Sequence, residues 1–207
     1  MKIFGLSLDE AKSAINVKLN EIITHLSLNP VAPADIFGQL EAAVKVHRFV
    51  AMHNTYQDSI MDEKARYEGD GDALSTYDLY QALVHQKAVC TSNSLEVAAL
   101  LGQVKVIAFC VYLESSDGGG KHMANLVLIG GHYYYFDATL ERYTHEQANN
   151  DPDYHRLYVA GLGRKFYEKL YAPLGVVNLH AAMLPDLYLL ADPEDIPHSV
   201  ITMALNR

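Results

Sequence analysis

The sequence has few cysteines, no long apolar run and no excess of basic residues, and each shortage excludes a class of protein. Cys90 and Cys110 are the only cysteines, too few for a disulfide framework and typical of a reducing compartment. No stretch reaches the ~20 consecutive apolar residues of a membrane span. The 16 Lys and Arg residues are scattered and the formal net charge is -9, which argues against nucleic-acid binding.

The short apolar patch at the start of the sequence is interrupted by Asp9 and Glu10, so it predicts no signal peptide. No CxxC or HExxH motif occurs, and the histidines have no partners at metal-ligand spacing. We therefore expect a cytoplasmic protein without a metal or other cofactor, and without a membrane or nucleic acid as partner. The sequence does not indicate an oligomeric state.

Half of the residues are apolar, which is enough for a sizeable core. We predict a single α+β domain over residues 1–207, with an N-terminal helical layer over residues 1–56 and a core over residues 76–199. Apolar residues recur every three or four positions in residues 8–26 and again in residues 34–56, which predicts two amphipathic helices.

The middle of the chain predicts a connection and two further helices. Residues 57–75 are polar and rich in turn residues, which indicates a long irregular connection before a short helix over residues 76–84. Asn93 and Glu96 have the spacing of a capping box, and Gly102 is typical of a helix end. These three residues predict a helix that begins just after Cys90.

The remaining pattern is typical of strands. Residues 104–113 predict a buried strand and residues 114–121 a loop. Two strand-like runs, residues 122–129 and 132–139, are separated by Gly130 and Gly131, a strong hairpin signal. Helical stretches between about residues 153 and 171, and a strand over residues 187–191, complete the prediction.

The hairpin brings together two residues that can do chemistry. A two-residue turn at Gly130 and Gly131 puts His122 opposite Thr139 and diagonal to Asp137. Side chains alternate along a strand, so His122 and Asp137 share a face. Diagonal neighbours have Cα atoms roughly 7 to 8 Å apart, within reach of an imidazole and a carboxylate.

Cys90 supplies a candidate nucleophile for this pair. A helix N-terminus and a neighbouring imidazolium both favour thiolate, and they lower the pKa of a thiol below its free value of about 8.5. A carboxylate fixes one imidazole nitrogen as donor and leaves the other to accept the thiol proton. We therefore predict a triad in which Cys90 is the nucleophile, His122 the general base and then acid, and Asp137 the residue that orients His122.

Taken singly, each triad residue has a simpler interpretation, because a free cysteine is more often a core residue than a nucleophile. A lone strand histidine or a strand-end aspartate is also common. Their joint occurrence in this order, with matching strand parity, favours the triad. Cys110 lies within an apolar run, so we expect it to fill the core.

Three short blocks carry a resemblance to a known superfamily. They are residues 88–90 (AVC), 122–125 (HMAN) and 136–139 (FDAT). They resemble the Gly-Val-Cys, His-Ala-Trp-Asn and Val-Asp-Pro-Thr blocks of the transglutaminase-like superfamily in its bacterial form, whose core is similar to that of papain-type cysteine proteases. The similarity extends over roughly residues 41–199. It implies a cysteine-bearing helix packed on an antiparallel sheet, and acyl transfer through a thioester.

Acyl transfer needs further site residues, for which the chain offers candidates, and the resemblance implies a substrate class. The Cys90 backbone N–H is a natural oxyanion donor, and Tyr77, Tyr80 and Gln86 are candidates for the second. Cleft candidates are Asn125, Tyr133 and Tyr135. The substrate would be a peptide or protein, released from the enzyme by water in a peptidase or deamidase, or by an amine in a transglutaminase.

Departures from the blocks favour a second hypothesis. No glycine precedes Val89, Ala124 stands where the superfamily has Trp, and the whole chain contains no Trp. These differences are expected in a catalytically inactive relative that uses the fold as a binding or scaffold module. A redox-sensing thiol would need a resolving cysteine near Cys90, and the strand setting of Cys110 disfavours it.

Overall fold

The computed structural model describes residues 2–67, 69–115, 121–139, 141 and 176–179, which form a mixture of helices and small sheets. The predicted helices between residues 153 and 171, the strand at 187–191 and most of the loop at 114–121 lie outside the described residues. The elements in chain order are β1 Lys2–Ile3, β2 Leu6–Ser7, α1 Leu8–His25, α2 Ile36–His53, β3 Thr55–Tyr56, α3 Ile60–Lys64, a 3-10 helix Ala65–Tyr67, α4 Gly71–His85, β4 Lys87–Ala88, α5 Cys90–Gln103, β5 Ala108–Ser115, β6 Lys121–Ile129, β7 His132–Phe136 and β8 Val176–Leu179.

The two predicted N-terminal helices are confirmed as α1 and α2. Helix α1 begins with a capping box, in which the Ser7 hydroxyl accepts from the Glu10 N–H and the Glu10 carboxylate accepts from the Ser7 N–H. Helix α2 begins after Asp35, whose carboxylate accepts from the Gly38 N–H. None of the helices in the described part of the chain is long and apolar enough to cross a bilayer.

The long irregular connection predicted over residues 57–75 is wrong. It contains α3 and the 3-10 helix, and α4 already begins at Gly71. The physical reason is a helix cap, in which the Asp70 carboxylate accepts a hydrogen bond from the Ala73 N–H. The dipeptide Asp70-Gly71, which resembles a turn, therefore starts a helix instead. Helix α4 ends at His85, and Gln86 follows in the left-handed conformation with φ 56°.

The predicted start and end of the next helix are also wrong. Helix α5 begins at Cys90, and extended Val89 precedes it. Asn93 therefore lies one turn inside the helix, and its side chain and that of Glu96 are buried against other elements instead of capping the backbone. The helix continues to Gln103 through Gly102, after which Lys105 takes the left-handed conformation with φ 63°.

The main sheet has the antiparallel strand order β7-β6-β5-β8. The predicted hairpin is confirmed, because Ile129 pairs with His132 around Gly130 and Gly131. Both glycines have positive φ, 60° and 85°, as a two-residue type I′ turn requires. Strand β5 begins at Ala108 instead of residue 104 and continues to Ser115, within the predicted loop.

Helix α5 packs between the N-terminal helices and this sheet. Its buried apolar side chains join those of α1, α2, β6 and β7 in the main core cluster: Ile15, Leu19, Ile22, Leu40, Val46, Val50, Val97, Leu100, Leu101, Val127, Ile129, Tyr134 and Phe136. Burial of each such side chain contributes about 2 kcal/mol. A second cluster, which includes Ile3, Ile60, Tyr77 and Val89, holds the chain just before Cys90. The start of α5 is therefore held by the main core cluster on one side and by the second cluster on the other.

Candidate active site

Cys90 is the first residue of α5, and its sulfur accepts a hydrogen bond from a backbone N–H of β6. The chain enters α5 through β4, which pairs in parallel with β3 so that Tyr56 faces Ala88. The first N–H groups of a helix have no intrahelical partner, and they carry the positive end of the helix dipole. The Cys90 sulfur thus lies at a helix end that favours an anion.

Polar contacts fasten the first turn of α5 to α3 and α4. The Lys64 ammonium donates to the Thr91 hydroxyl at 2.8 Å and pairs with the Asp78 carboxylate at 3.3 Å. The Ser92 hydroxyl donates to the other oxygen of Asp78 at 2.8 Å. These bonds limit rotation of the turn that begins with Cys90.

His122 and Asp137 meet as the hairpin parity predicts. His122 Nε2 lies 2.7 Å from Asp137 Oδ2. The Asp137 side chain is 1% exposed and that of His122 is 23% exposed, so the pair is shielded while the imidazole keeps an open edge. Because Nε2 is bonded to Asp137, Nδ1 is the ring nitrogen left to face the thiol.

The electrostatics of Cys90 and His122 are complementary. Burial raises the pKa of the Cys90 thiol, but a hydrogen bond with His122, the His122 charge and the Met123 N–H together bring that pKa below its ordinary value. Burial lowers the pKa of His122, but the charge and hydrogen bond of Asp137, together with Cys90, raise it to about 10. These opposite shifts favour a thiolate beside an imidazolium.

The Met123 N–H is a contact that the sequence pattern did not predict. It donates to the Cys90 sulfur and so stabilises the thiolate independently of His122. A backbone donor leaves no trace in residue type. In the sequence, the only sign of this donor is that Met123 directly follows His122 in β6.

Cys110 has the opposite character. Its sulfur lies 3.4 Å from the Ser94 carbonyl oxygen, and burial raises its pKa to about 11 despite a hydrogen bond with Asn125. The Asn125 amide also donates to the Ser94 carbonyl at 2.9 Å, and Asn125 is 1% exposed. Asn125, predicted as a cleft residue, therefore fastens β6 to α5.

Two of the three candidates for the second oxyanion donor have other partners, and the third is exposed. The Tyr77 hydroxyl donates to Glu63 at 2.8 Å and accepts from Gln81 at 2.9 Å. Tyr80 stacks on Phe4, with ring centroids 5.2 Å apart. Gln86 is exposed at the end of α4. Their oxyanion role stays a prediction. Tyr133 and Tyr135 lie in β7, but their side chains lie outside the described part of the molecule.

Two other tyrosines lie near the thiol. Burial raises the pKa of Tyr56 to about 12, and the charges of Cys90, Asp58 and Asp137 add to this effect. Burial also raises the pKa of Tyr112, with contributions from Cys110, Asp78 and Cys90. The two residues are 43% and 47% exposed, so solvent reaches both rings. Sequence analysis missed them because their nearness to Cys90 comes from distant parts of the chain.

Within the described residues, no group of three or more His, Cys, Asp or Glu side chains is arranged to hold a metal ion. The site brings a thiol, an imidazole and a carboxylate into contact.

Comparison with known proteins gives partial structural similarity only. No protein-family model matches the sequence, and no curated protein matches it. A crystal structure of a TGase is 20% identical, covers 58% of this chain and 37% of that chain, and has a TM-score of 0.36. A candidate cysteine protease from Cytophaga hutchinsonii is 15% identical, covers 57% of this chain and 42% of that chain, and has a TM-score of 0.35. This chain thus spans about two fifths of the length of each protein.

Proposed function

We propose that the protein is a cysteine-dependent hydrolase or acyltransferase with a transglutaminase-like core, and that it acts on amides of peptide or protein substrates. One observation carries the proposal: His122 is hydrogen-bonded to the buried Asp137 carboxylate and also to the Cys90 thiol. A structural thiol has no need of such a partner, whereas a nucleophile does.

In the first step the Cys90 thiolate attacks the substrate carbonyl carbon. A C–S bond forms, and the carbonyl π electrons move to oxygen to give a tetrahedral oxyanion. When the oxyanion collapses, the C–N bond breaks and the leaving amine takes a proton from the His122 imidazolium. The product of this step is a thioester on Cys90 and a neutral imidazole.

In the second step His122 acts as the base. It takes a proton from water, or from an amine, while that molecule attacks the thioester carbonyl. Collapse breaks the C–S bond and expels the Cys90 thiolate, with the proton left on His122. Water gives a carboxylic acid, as in a peptidase or deamidase, and an amine gives a new amide. Either acceptor returns the pair to its starting state.

Two features of the site support the proposed steps: a backbone N–H that can stabilise the oxyanion, and a carboxylate that orients the imidazole. Its backbone N–H is at the first position of α5, where the helix itself provides no acceptor. An N–H at this position is a suitable oxyanion donor, and the helix dipole adds to its effect. Asp137, almost completely buried, holds the imidazole orientation that both proton transfers require.

The test is direct detection of the thioester. Wild-type protein is incubated with a panel of glutamine-containing peptides and activated peptide esters, quenched in acid and analysed by peptide mass spectrometry. We expect an acyl adduct on Cys90 that hydroxylamine removes, accompanied by release of ammonia or the leaving alcohol. Cys90→Ala should give no adduct. Cys110→Ala is the matched control, because Cys110 has a high pKa and lacks the histidine contact, and it should retain the adduct.

The alternative outcome is equally defined. If Cys90 forms no adduct with any peptide or ester while the protein is folded, the acyl-transfer proposal is wrong and a binding module becomes the better interpretation. An added amine separates a transglutaminase from a hydrolase. In a transglutaminase the amine releases the acyl group from Cys90 and is incorporated into the product, whereas in a hydrolase water releases that group.

A further inference from the structure

Asp137 follows directly after β7 and lies outside the hydrogen-bonded residue pairs of the sheet. The last residue pair between β6 and β7 is Asn125 with Phe136, so the backbone ladder ends one residue before Asp137. After Asp137 the chain turns into a helical segment, in which the Glu141 N–H donates to the Asp137 carbonyl at 3.0 Å. The contacts that hold this segment therefore contribute to the orientation of the Asp137 carboxylate.

A side-chain hydrogen bond connects the segment to the helix that bears the thiol. The Asn93 amide N–H₂ donates to the Thr139 hydroxyl oxygen at 2.9 Å. Asn93 lies three residues after Cys90 in α5, which puts the two side chains on the same helix face. One bond thus joins the helix of the nucleophile to the segment of the carboxylate.

The Asn93 amide is itself held in one orientation. Asn54, at the end of α2, donates to Asn93 Oδ1 at 2.9 Å and to Glu96 Oε2 at 2.5 Å. Because the Asn93 oxygen faces Asn54, its N–H₂ group faces Thr139. Asn54, Asn93 and Glu96 are all at most 2% exposed. A buried polar network of this kind stabilises less than apolar packing would, but it specifies one arrangement.

We infer that Asn93 and Thr139 are positioning residues, which hold the Asp137 carboxylate against His122 through the Asn93–Thr139 hydrogen bond. The inference rests on the proposed function, since it assigns a task to these residues within that site. Neither residue touches the reacting atoms. Their effect on Cys90 passes from Thr139 through the backbone to Asp137, and from Asp137 to His122.

The segment has a second attachment, which makes the inference testable without unfolding the protein. His47 of α2 contacts the Glu141 carboxylate, and its ring packs edge-on against Phe136. Loss of the Thr139 hydroxyl should therefore shift the segment without releasing it. Thr139 is only partly buried, so a substitution of similar volume is tolerable there.

The experiment compares Thr139→Val, which removes the hydroxyl with little change in volume, with Thr139→Ser, which keeps it. The readout is the rate of iodoacetamide alkylation of Cys90 as a function of pH, with unfolding by urea measured for each variant. In Thr139→Val we expect the apparent pKa of Cys90 to rise by about one unit, which is about a tenfold loss of thiolate at neutral pH. Thr139→Ser should match the wild type, and Asn93→Ala should follow Thr139→Val.

Val97→Ala is the matched control for lost stability. Val97 is buried in the same helix among apolar residues, so its truncation destabilises the fold without touching the polar network. It should leave the apparent pKa of Cys90 unchanged. If Val97→Ala shifts that pKa as much as Thr139→Val does, the effect is general loosening and the inference is wrong.

The remaining outcomes separate the inference from the proposed function. A depressed Cys90 pKa in the wild type that is unchanged in Thr139→Val would overturn the positioning role and leave the proposed function intact. An ordinary thiol pKa at wild-type Cys90 would overturn both.

Discussion

Replacement of His122 by Ala should give Cys90 the raised pKa of an ordinary, partly buried thiol. Burial is the largest influence on Cys90, and it acts to raise the pKa. The hydrogen bond and charge of His122, helped by the Met123 N–H, are what bring the pKa below the ordinary value of 9.0. Without the imidazole the effect of burial prevails, so the pKa of Cys90 should rise above 9.0.

Cys110 shows how far the pKa should move. It is a partly buried thiol that accepts a hydrogen bond from an amide instead of an imidazole, and its pKa is about 11. If Cys90 in His122→Ala approaches that value from below 9.0, the shift exceeds two units, because 11 minus 9.0 is 2. Such a shift corresponds to roughly 3 kcal/mol and to a loss of at least about 100-fold in thiolate at neutral pH.

The assay is alkylation by iodoacetamide over a range from about pH 5 to pH 10, chosen to bracket the free thiol pKa. Peptide mass spectrometry then separates modification of Cys90 from that of Cys110 in the same sample. In the wild type, Cys90 should react much faster than Cys110 below pH 8. In His122→Ala the two cysteines should react at similar rates.

A control variant and a defined failure complete this test. His25→Ala removes an exposed histidine at the end of α1 and should leave Cys90 unchanged. The reasoning is refuted if folded His122→Ala keeps a Cys90 pKa within half a unit of the wild type. The thiolate would then be stabilised by the helix end and the Met123 N–H alone.

Three further changes test other parts of the structure. Asp137→Asn removes the charge that does most to raise the pKa of His122, so that pKa should fall from about 10, and alkylation of Cys90 at pH 7 should slow by on the order of tenfold. An NMR titration of the His122 ring measures the first effect directly. Burial raises the pKa of Glu96 to about 8, although the Asn54 hydrogen bond opposes it, so the folded state holds a proton that the unfolded chain loses above about pH 4.5. The contribution of Glu96 to stability should therefore fall as pH rises from 4.5 to 8. Glu96→Gln should remove this part of the pH dependence and stabilise the protein at pH 8, relative to the wild type, by up to ~4 kcal/mol in urea unfolding. Gly131→Ala should cost about 1 to 2 kcal/mol of stability from backbone strain alone, because φ is +85° and nothing lies within 4 Å of the added Cβ.

Each of these has a matched comparison. Gly102→Ala, at a glycine inside α5 without a positive φ and with nothing within 4 Å of the added Cβ, should not cause this loss, and equal losses in Gly102→Ala and Gly131→Ala would contradict the turn geometry. A difference in stability between the wild type and Glu96→Gln that stays constant from pH 4.5 to pH 8 would mean that Glu96 does not bind the proton. An unchanged His122 titration in Asp137→Asn would mean that the hydrogen bond, and not the carboxylate charge, controls the imidazole.

The N-terminal helices and the hairpin turn, which depend on neighbours in sequence, are predicted correctly. The apolar spacing of α1 and α2 and the two glycines of the β6–β7 turn act within a few residues, so the sequence carries them directly. The meeting of His122 and Asp137 follows from the same turn. Once Gly130 and Gly131 set the register, the alternation of side chains leaves these two residues on one face.

The capping box shows where local reasoning fails. Asn93 and Glu96 have the spacing of a cap, yet both side chains bond to Asn54, which is 39 and 42 residues earlier in the chain. A cap and a buried network use the same polar residue types, and only the packing of α2 against α5 selects between them. As a result, α5 begins at Cys90, whereas the local pattern predicts a start after this residue.

The sequence by itself determined the helices that carry a strong period, the hairpin register and therefore the identity of the Cys90, His122 and Asp137 set. Tertiary structure alone decided that the imidazole reaches the thiol, that the Met123 N–H faces the sulfur, and that Tyr56 lies beside them. The reason is physical: turn and period are encoded in neighbouring residues, whereas these contacts join segments whose approach is set by burial of the shared core.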